Sequence, residues 1–600
     1  MKIVRELRQD LIGRIWLLNA LVTGLLAAIA CAYWFAQIVE GEHYRELAEN
    51  NRLRKLPIKA PRGLIYDRNG QLLVENIPSY NLLVDRSRSS DLKKAIAFIA
   101  GVVGRPVPEL AAILERVRST PDFKPVLLAE HLTLEQVAAV SVRGREYPEF
   151  EVEVQNLRLY RHGPQTAHVL GYLGEVTQAE VERSDGAYAV GDLVGKRGIE
   201  QVFDKVLRGK DGERVVVVDS RGKLLDEYGR TPVEAGRPLR LTLDLDLQQE
   251  AIRQFEGADA VGSVVALDPR NGEILALVSA PSYDPNLFAR RLGQDEWNAL
   301  IGAPHDPMRD RAIQNTYSPG SVFKIMMAAA GLAEGIVNES DSVWCDGSAS
   351  IYGHRFRCWS KGGHGRVDLH DALEHSCDVY FYHLGQRLGI DRIARYARMF
   401  GLGSKTGIEL RGENAGLVPD PAWSLAARKH PWFLGETISV AIGQGPVLTS
   451  PLQIAAVTAL IANGGRPIRP HLIQGEEVEA PNADRPPLPP RALEAVREGM
   501  DAVVNDPGGT ARTARLPDVR VAGKTGTVQV IAQASRTNPN SLPFHLRDHG
   551  WFTSFAPVDH PEIVVVAFVE HGGSGSKAAA PIAKAVLAKY FSTLKARRQP

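Results

Sequence analysis

The segment Tyr317-Ser318-Pro319-Gly320-Ser321-Val322-Phe323-Lys324-Ile325-Met326-Met327-Ala328-Ala329-Ala330 decides how this chain is read. A Ser-Pro-Gly turn runs into an apolar stretch that predicts a buried helix. Ser321 opens it, where backbone N–H groups are free. A lysine three residues after a serine on a helix lies on the same face, about one turn away. A serine hydroxyl is a weak nucleophile at neutral pH and needs a base beside it. Lys324 can be that base if its pKa falls, and burial or a neighbouring cation pushes a lysine down.

Two further motifs follow in order: Ser376-Cys377-Asp378 and Lys524-Thr525-Gly526-Thr527. Each motif alone is weak. Ser-x-x-Lys recurs at Ser90, Ser220, Ser574 and Ser592, all in polar or Gly-rich surroundings that read as surface, and Lys405-Thr406-Gly407 reads as a turn after a helix. Lys524 instead follows Val519-Arg520-Val521-Ala522-Gly523 and precedes Thr527-Val528-Gln529-Val530, a strand pattern in which glycine permits close approach of a substrate. The ordered triple describes acyl transfer by a serine without a histidine base. In it Ser376 relays a proton to the leaving amine. Lys524 supplies a second cation and anchors a carboxylate, and the N–H groups of Ser321 and Thr527 form the oxyanion hole.

With this triple the chain resembles the class B penicillin-binding proteins, most closely those of the elongation type. The resemblance also rests on Arg62-Gly63-Leu64-Ile65-Tyr66-Asp67-Arg68-Asn69-Gly70, Asp268-Pro269-Arg270-Asn271-Gly272-Glu273-Ile274-Leu275-Ala276, Ile442-Gly443-Gln444-Gly445 and Asp548-His549-Gly550-Trp551-Phe552. Asp378 stands where division-type members usually carry Asn, which favours the elongation type.

Composition agrees with a globular chain of two or three domains: 600 residues, 44% hydrophobic and 24% charged. A formal charge of +1 gives no electrostatic case for nucleic acid. Ile15 to Ala36 is an uncharged run of 22 residues preceded by Lys2, Arg5, Arg8 and Arg14. It is long enough to span a bilayer, with residues 1–14 cytoplasmic. No small-x-small cleavage site follows it, so it reads as an anchor rather than a signal peptide.

The expected fold class is α+β. Residues 40–60 are polar and helical in composition. Residues 37–237 form an elongated mixed α/β pedestal, with strands at Tyr80–Val84 and Arg214–Val218 and a pedestal-like Lys196-Arg197-Gly198-Ile199-Glu200. Residues 238–600 form the transpeptidase domain, an antiparallel sheet flanked by helices, with buried strands at Gly262–Leu267 and Ile563–Val569. Residues 477–491 read as an exposed loop, 531–547 as a border of the substrate groove, and 595–600 as a solvated tail.

Of four cysteines, Cys31 lies in the membrane run; Cys345, Cys358 and Cys377 combine with His364 as Cys-x12-Cys-x5-His-x12-Cys. Three thiolates and an imidazole are a complete tetrahedral zinc set without an open position for water, hence structural. One disulfide plus a buried thiol is the alternative. Elongation-type relatives resemble this with a zinc site in the same region, some using aspartates, so Asp346 competes with Cys345 as first ligand. Cys377 lies inside the catalytic motif, where a metal would brace it. His354 and His370 read as ordinary histidines, and His549 as a structural neighbour of the site.

The resemblance implies that Ser321 attacks a D-Ala-D-Ala stem peptide and releases D-alanine. An amine of a neighbouring stem then resolves the ester, in the periplasm of a bacterium, with the chain anchored in the inner membrane. It implies β-lactams as inhibitors, and a SEDS-family glycosyltransferase and elongation-complex proteins as partners. Rival readings on the same fold are a division-type transpeptidase, a D,D-carboxypeptidase, a β-lactamase, a β-lactam sensor and a polymerase-activating scaffold.

Overall fold

The computed structural model describes residues 2–44, 53–122, 124–218, 224–290, 292–475, 488–530 and 542–598. The N-terminal helix Lys2–Trp34 continues through a π-turn, Phe35–Val39. Among the described residues Leu11–Val39 is the one helix long and apolar enough to cross a membrane, 29 residues with none of the apolar window buried. That is compatible with a single-pass anchor.

The rest divides into two compact units. One comprises Met1–Arg62, Ile77–Leu157 and Arg208–Gly236; the other comprises Gly63–Asn76, Arg158–Leu207 and Arg237–Pro600. The first unit holds a three-stranded antiparallel sheet of Leu53–Ile58, Gly212–Val218 and Leu224–Thr231. Residues 53–58, expected within a helical stretch, are therefore a strand, because pairing with Val215–Val217 overrides a weak helical composition. A second small core packs Leu82, Val84, Ile96, Ile99 and Leu128 together.

The boundary read at residue 237 coincides with the junction between Arg208–Gly236 and Arg237–Pro600, but two earlier segments cross it. Residues 63–76 and 158–207 belong to the unit that carries the catalytic sheet. Asp67 is the reason for the first: its carboxylate accepts the N–H groups of Asn69, Gln71 and Leu245 at 2.8, 2.7 and 3.3 Å. Arg68 adds a bond to Glu273 at 3.1 Å. In the second segment Glu200 is fully buried and receives Arg158 Nε at 2.8 Å.

The catalytic sheet has five antiparallel strands: β1 (Val261–Leu267), β2 (Ile274–Ala280), β3 (Ala522–Val528), β4 (His549–Ala556) and β5 (Ile563–Glu570), in spatial order β2-β1-β5-β4-β3. Its helices are α1 (Leu245–Ala258), α2 (Lys324–Ala333), α3 (Asp378–Met399), α4 (Pro451–Ala462), α5 (Pro490–Asn505) and α6 (Gly575–Arg598). Alternation along each strand sorts side chains to two cores. Val564, Val566 and Phe568 join Val265 and Leu267 in the core with α2, α3 and α4. Val565, Ala567 and Val569 join Val264 and Ala266 in the core with α1 and α6. With both faces covered, every residue of β1 is buried and β5 reads as an apolar run from Ile563 to Val569. Helix α4 is apolar all round, is buried on every side, and starts at a capping box between Ser450 and Gln453.

Two boundaries moved. Helix α6 runs to Arg598, so the expected tail is largely helical, as good helix formers allow. Pro490 starts α5 where a loop was read, since proline suits the first helical turn; the rest of that loop, residues 476–487, lies outside the described residues. So do 531–541 of the expected groove border, while Phe544–Leu546 forms a 3₁₀ turn.

Candidate active site

Ser321 sits in the 3₁₀ turn Gly320–Phe323 that feeds α2. The turn is pinned on three sides. Gly320 N–H donates to Gly443 O at 2.8 Å. Trp551 Nε1 donates to Ser318 O at 3.1 Å. On the third side lies edge strand β3, and Gly320 (φ 56°) has its missing Cβ position only 2.9 Å from Thr527 O. Gly526 repeats the logic, its absent Cβ lying 3.1 Å from Pro319 O and from Val322 Cγ1. Any side chain at either glycine would push β3 away from the serine turn.

Tyr317, four residues ahead of Ser321, is held by its hydroxyl. That hydroxyl donates to Glu570 and accepts Asn315 Nδ2 at 2.9 Å. Arg311 Nε lies 3.2 Å from the other oxygen of Glu570, an ion pair without hydrogen-bond alignment. Burial raises the Tyr317 phenol well above its usual range, so it stays a donor.

Lys324 is fully buried, and its Nζ lies within hydrogen-bonding distance of three oxygens: Asp378 Oδ1 at 2.6 Å, Ser376 O at 2.9 Å and Ser376 Oγ at 3.4 Å. Phe381 lies beneath, its ring centre 5.3 Å from Nζ. No hydrogen bond joins Ser321 to Lys324 among the described residues. Ser376 occupies the left-handed region at φ 55°, a strained place for a serine, between the short helix Leu369–Glu374 and α3. That strain turns its carbonyl and hydroxyl toward Lys324.

Lys524 is also fully buried, on β3 opposite Thr553. Among the described residues its Nζ hydrogen-bonds only Thr525 O, at 3.2 Å. Burial, then the charge of Lys324, pushes its pKa well below the usual lysine value, against a smaller opposing pull from Asp378. Thr525 Oγ1 pairs with Thr510 Oγ1 at 2.9 Å, and Thr527, exposed at the strand's end, has its carbonyl held by Gln444 Nε2 at 3.3 Å. Thus Lys324, Ser376, Asp378, Lys524, Thr525, Gly526 and Thr527 surround the serine turn. The copy at Lys405 is explained separately: the N–H groups of Thr406 and Gly407 cap Glu413 at 2.6 and 3.2 Å. His549 accepts the N–H of His571 at 2.9 Å, and burial lowers its pKa to about 4, so it is a neutral structural neighbour.

The ligand atoms of Cys345, Cys358, His364 and Cys377 all lie within 4.8 Å of one another. His364 Nδ1 is 3.6 Å from the sulfurs of both Cys345 and Cys358. All three cysteines are free thiols. Asp346 is not in the cluster; it accepts the N–H of Ser348 at 3.1 Å. A hydrogen bond from Cys377 pulls the Cys358 thiol down to about 3, and the same bond, with burial, raises Cys377. His364 Nε2 is buried without a partner. Three converging sulfurs and a ring nitrogen are a donor set that fits zinc.

Sequence reasoning missed Trp359. Its backbone N–H donates to Asp378 Oδ2 at 3.0 Å, and its indole N–H lies 3.1 Å from the carbonyl oxygens of both Ser376 and His375. Its position next to Cys358 was the available signal. Thr510 gave none.

The penicillin binding protein transpeptidase domain family matches residues 262–588, and the penicillin-binding protein dimerisation domain family matches 57–241. The chain is 37% identical over 586 residues to the peptidoglycan D,D-transpeptidase MrdA of Acinetobacter baumannii, covering 95% of this chain and 87% of that one. It is 34% identical to MrdA of Escherichia coli K12, covering 92% and 90%. Among solved structures, the penicillin-binding protein 2 of Helicobacter pylori in complex with MreC is similar with a TM-score of 0.81 at 29% identity, covering 90% of this chain and 99% of that one. A structure described as the structural coordination of polymerization and crosslinking by a peptidoglycan synthase complex is similar with a TM-score of 0.72 at 32% identity, covering 97% and 98%. Motif order, site geometry and these likenesses agree: the chain belongs to the penicillin-binding protein transpeptidase family, as a class B member of the penicillin-binding protein 2 type.

Proposed function

We propose that this chain, a peptidoglycan D,D-transpeptidase of the elongation type, cross-links stem peptides through an acyl-enzyme on Ser321. The observation that carries the reading is Lys324, buried three residues after Ser321 and bonded to both Ser376 and Asp378. Ser321 Oγ attacks the carbonyl between the two terminal D-alanines as Lys324 accepts its proton. The N–H groups of Ser321 and Thr527 take the negative oxygen. The C–N bond breaks as Ser376 gives its hydroxyl proton to the leaving D-alanine and takes the proton held by Lys324 in its place, and Lys524 with Thr525 holds the leaving carboxylate. An amine from a neighbouring stem then attacks the ester, forms the new amide and returns the proton to Ser321. β-Lactams acylate the same serine.

Cys345, Cys358, His364 and Cys377 would hold a structural zinc that fixes the loop bearing Trp359. The chain sits in the bacterial inner membrane with residues 1–14 in the cytoplasm and the catalytic unit in the periplasm, as the cluster of N-terminal cations favours. It works with a SEDS-family glycosyltransferase and with elongation-complex proteins. The Helicobacter pylori relative in complex with MreC and the peptidoglycan synthase complex support such partners.

Purified full-length chain supplied with uncross-linked glycan strands should release D-alanine and yield cross-linked muropeptide dimers, and Ser321→Ala should yield neither. D-Alanine release with no dimers would place the chain with the carboxypeptidases instead.

A further inference from the structure

The insert between residues 343 and 367 carries a surface that the acyl-transfer chemistry leaves unused. It contains Arg355, Arg357, Lys361 and Arg366 against one acid, Asp346, in a chain whose formal charge is only +1. All four cations are exposed, and among the described residues none has a carboxylate partner. Arg355 and Arg366 bond only to serine hydroxyls, Ser348 at 3.1 Å and Ser342 at 2.9 Å. Elsewhere in the same unit exposed arginines close on acids, as Arg395 does on Glu334 and Arg398 on Asp420.

The register places one of these cations beside a bare aromatic ring. Trp344 is directly opposite Arg366 on a two-stranded ribbon and is 72% exposed. On the neighbouring ribbon Arg355 pairs with Ser350 and Arg357 with Ser348, so both arginines share its outward face, while Ala349 and Ile351 are buried. A core position for Trp344 would have buried the ring. Exposed aromatic faces next to unpaired guanidinium groups suit a ligand that offers both flat, weakly polar faces and carboxylates.

The insert that carries these residues is bonded to the catalytic motif. Trp359, 56% exposed, lies on the same insert and bonds Asp378 through its backbone and Ser376 through its indole. We propose that the outer face of the insert binds the incoming peptidoglycan strand, an anionic glycopeptide whose sugar rings lie on Trp344 and whose stem carboxylates meet Arg355, Arg357 and Arg366. The face delivers the acceptor amine to the Ser376 side of the site. The assignment rests on the transpeptidase reading. Charge complementarity selects this occupant: the strand is a polyanion of sugars, and the face is an unneutralised cationic patch with aromatic platforms.

The test uses detergent-solubilised full-length chain and three readouts. These are pelleting with purified peptidoglycan sacculi at rising salt, binding to phosphatidylglycerol vesicles, and penicillin acylation read by mass after denaturation. Arg355→Glu combined with Arg366→Glu should weaken pelleting by about tenfold or more, with the difference shrinking at high salt. Penicillin, which needs no acceptor, should acylate the variant as it does the parent. Arg355→Gln with Arg366→Gln should give a smaller loss, and it decides the matter if the reversed pair fails to acylate through misfolding. Unchanged pelleting of the Gln pair and of an acylating Glu pair overturns the proposal. So does a loss confined to the vesicles, which would make the face a lipid contact. Failure of the parent chain itself to acylate would overturn the transpeptidase reading, and with it the acceptor role.

Discussion

Asp378 Oδ1 lies 2.6 Å from Lys324 Nζ, a contact between two buried side chains that joins the first catalytic motif to the second. The same carboxylate is fixed from behind, because its other oxygen accepts the N–H of Trp359 at 3.0 Å. Removing one partner of such a pair leaves the other charge buried and alone. Asp378→Ala should lower stability by about 3 kcal/mol and slow penicillin acylation by roughly a hundredfold. Asp378→Asn, which keeps the shape and the bond from Trp359, should cost about 1 kcal/mol. Urea unfolding and stopped-flow acylation with a fluorescent penicillin measure both, and equal effects of Ala and Asn would remove the positional role.

Lys524 is a cation held where burial opposes its charge. Its folded pKa lies well below the 10.5 of an unfolded lysine, so between those values the unfolded chain binds the extra proton. Stability therefore rises with pH across that window. Lys524→Met should stabilise the chain by about 1–2 kcal/mol at pH 7. The gain should shrink as the pH approaches 10.5. Acylation should fall by roughly a hundredfold or more, because the carboxylate anchor is gone. Melting curves of parent and variant from neutral to alkaline pH give the sign directly, and a variant less stable than the parent at pH 7 contradicts the account.

The cysteine-histidine cluster should carry one zinc per chain. Stripping it with a strong chelator, or replacing Cys358 by Ser, should lower the melting temperature by roughly 5–10 °C. It should also slow acylation, since Trp359 follows Cys358 directly and holds both Ser376 and Asp378. Added zinc should restore the stripped protein but not the variant. Metal content near zero in active protein would remove zinc from the account.

Tyr317 reaches Glu570 across the end of β5, and Tyr317→Phe removes only the hydroxyl between Glu570 and Asn315. The expected loss is about 1 kcal/mol of stability, with acylation slower by about tenfold because the turn bearing Ser321 loosens. Acylation at the parental rate would show that Trp551 and Gly443 suffice to hold that turn.

The triple Ser321, Ser376 and Lys524 was readable from its order, with Ser321 at the start of an apolar helix and Lys524 on a strand with a glycine where backbones close up; the second motif had no such context, and its place before the helix Asp378–Met399 came from the structure. The antiparallel sheet was readable from apolar runs such as Ile563–Val569, but not its number of strands. The apolar N-terminal helix was legible from an uncharged run long enough to span a bilayer. The split of the pedestal was not, because Asp67 and Glu200 act through partners distant in sequence, Leu245 for the one and Arg158 for the other. The strand Leu53–Ile58 was misread for the same reason: its structure comes from pairing, which local composition does not carry. Trp359 escaped notice because its key donor is a backbone N–H, a group that every residue but proline carries.

The measurement closest to the central claim is the mass of the denatured chain before and after exposure to penicillin. One adduct on the peptide that carries Ser321, absent from Ser321→Ala, is the predicted result. A stable adduct on the Ser321→Ala chain would contradict the assignment of the nucleophile.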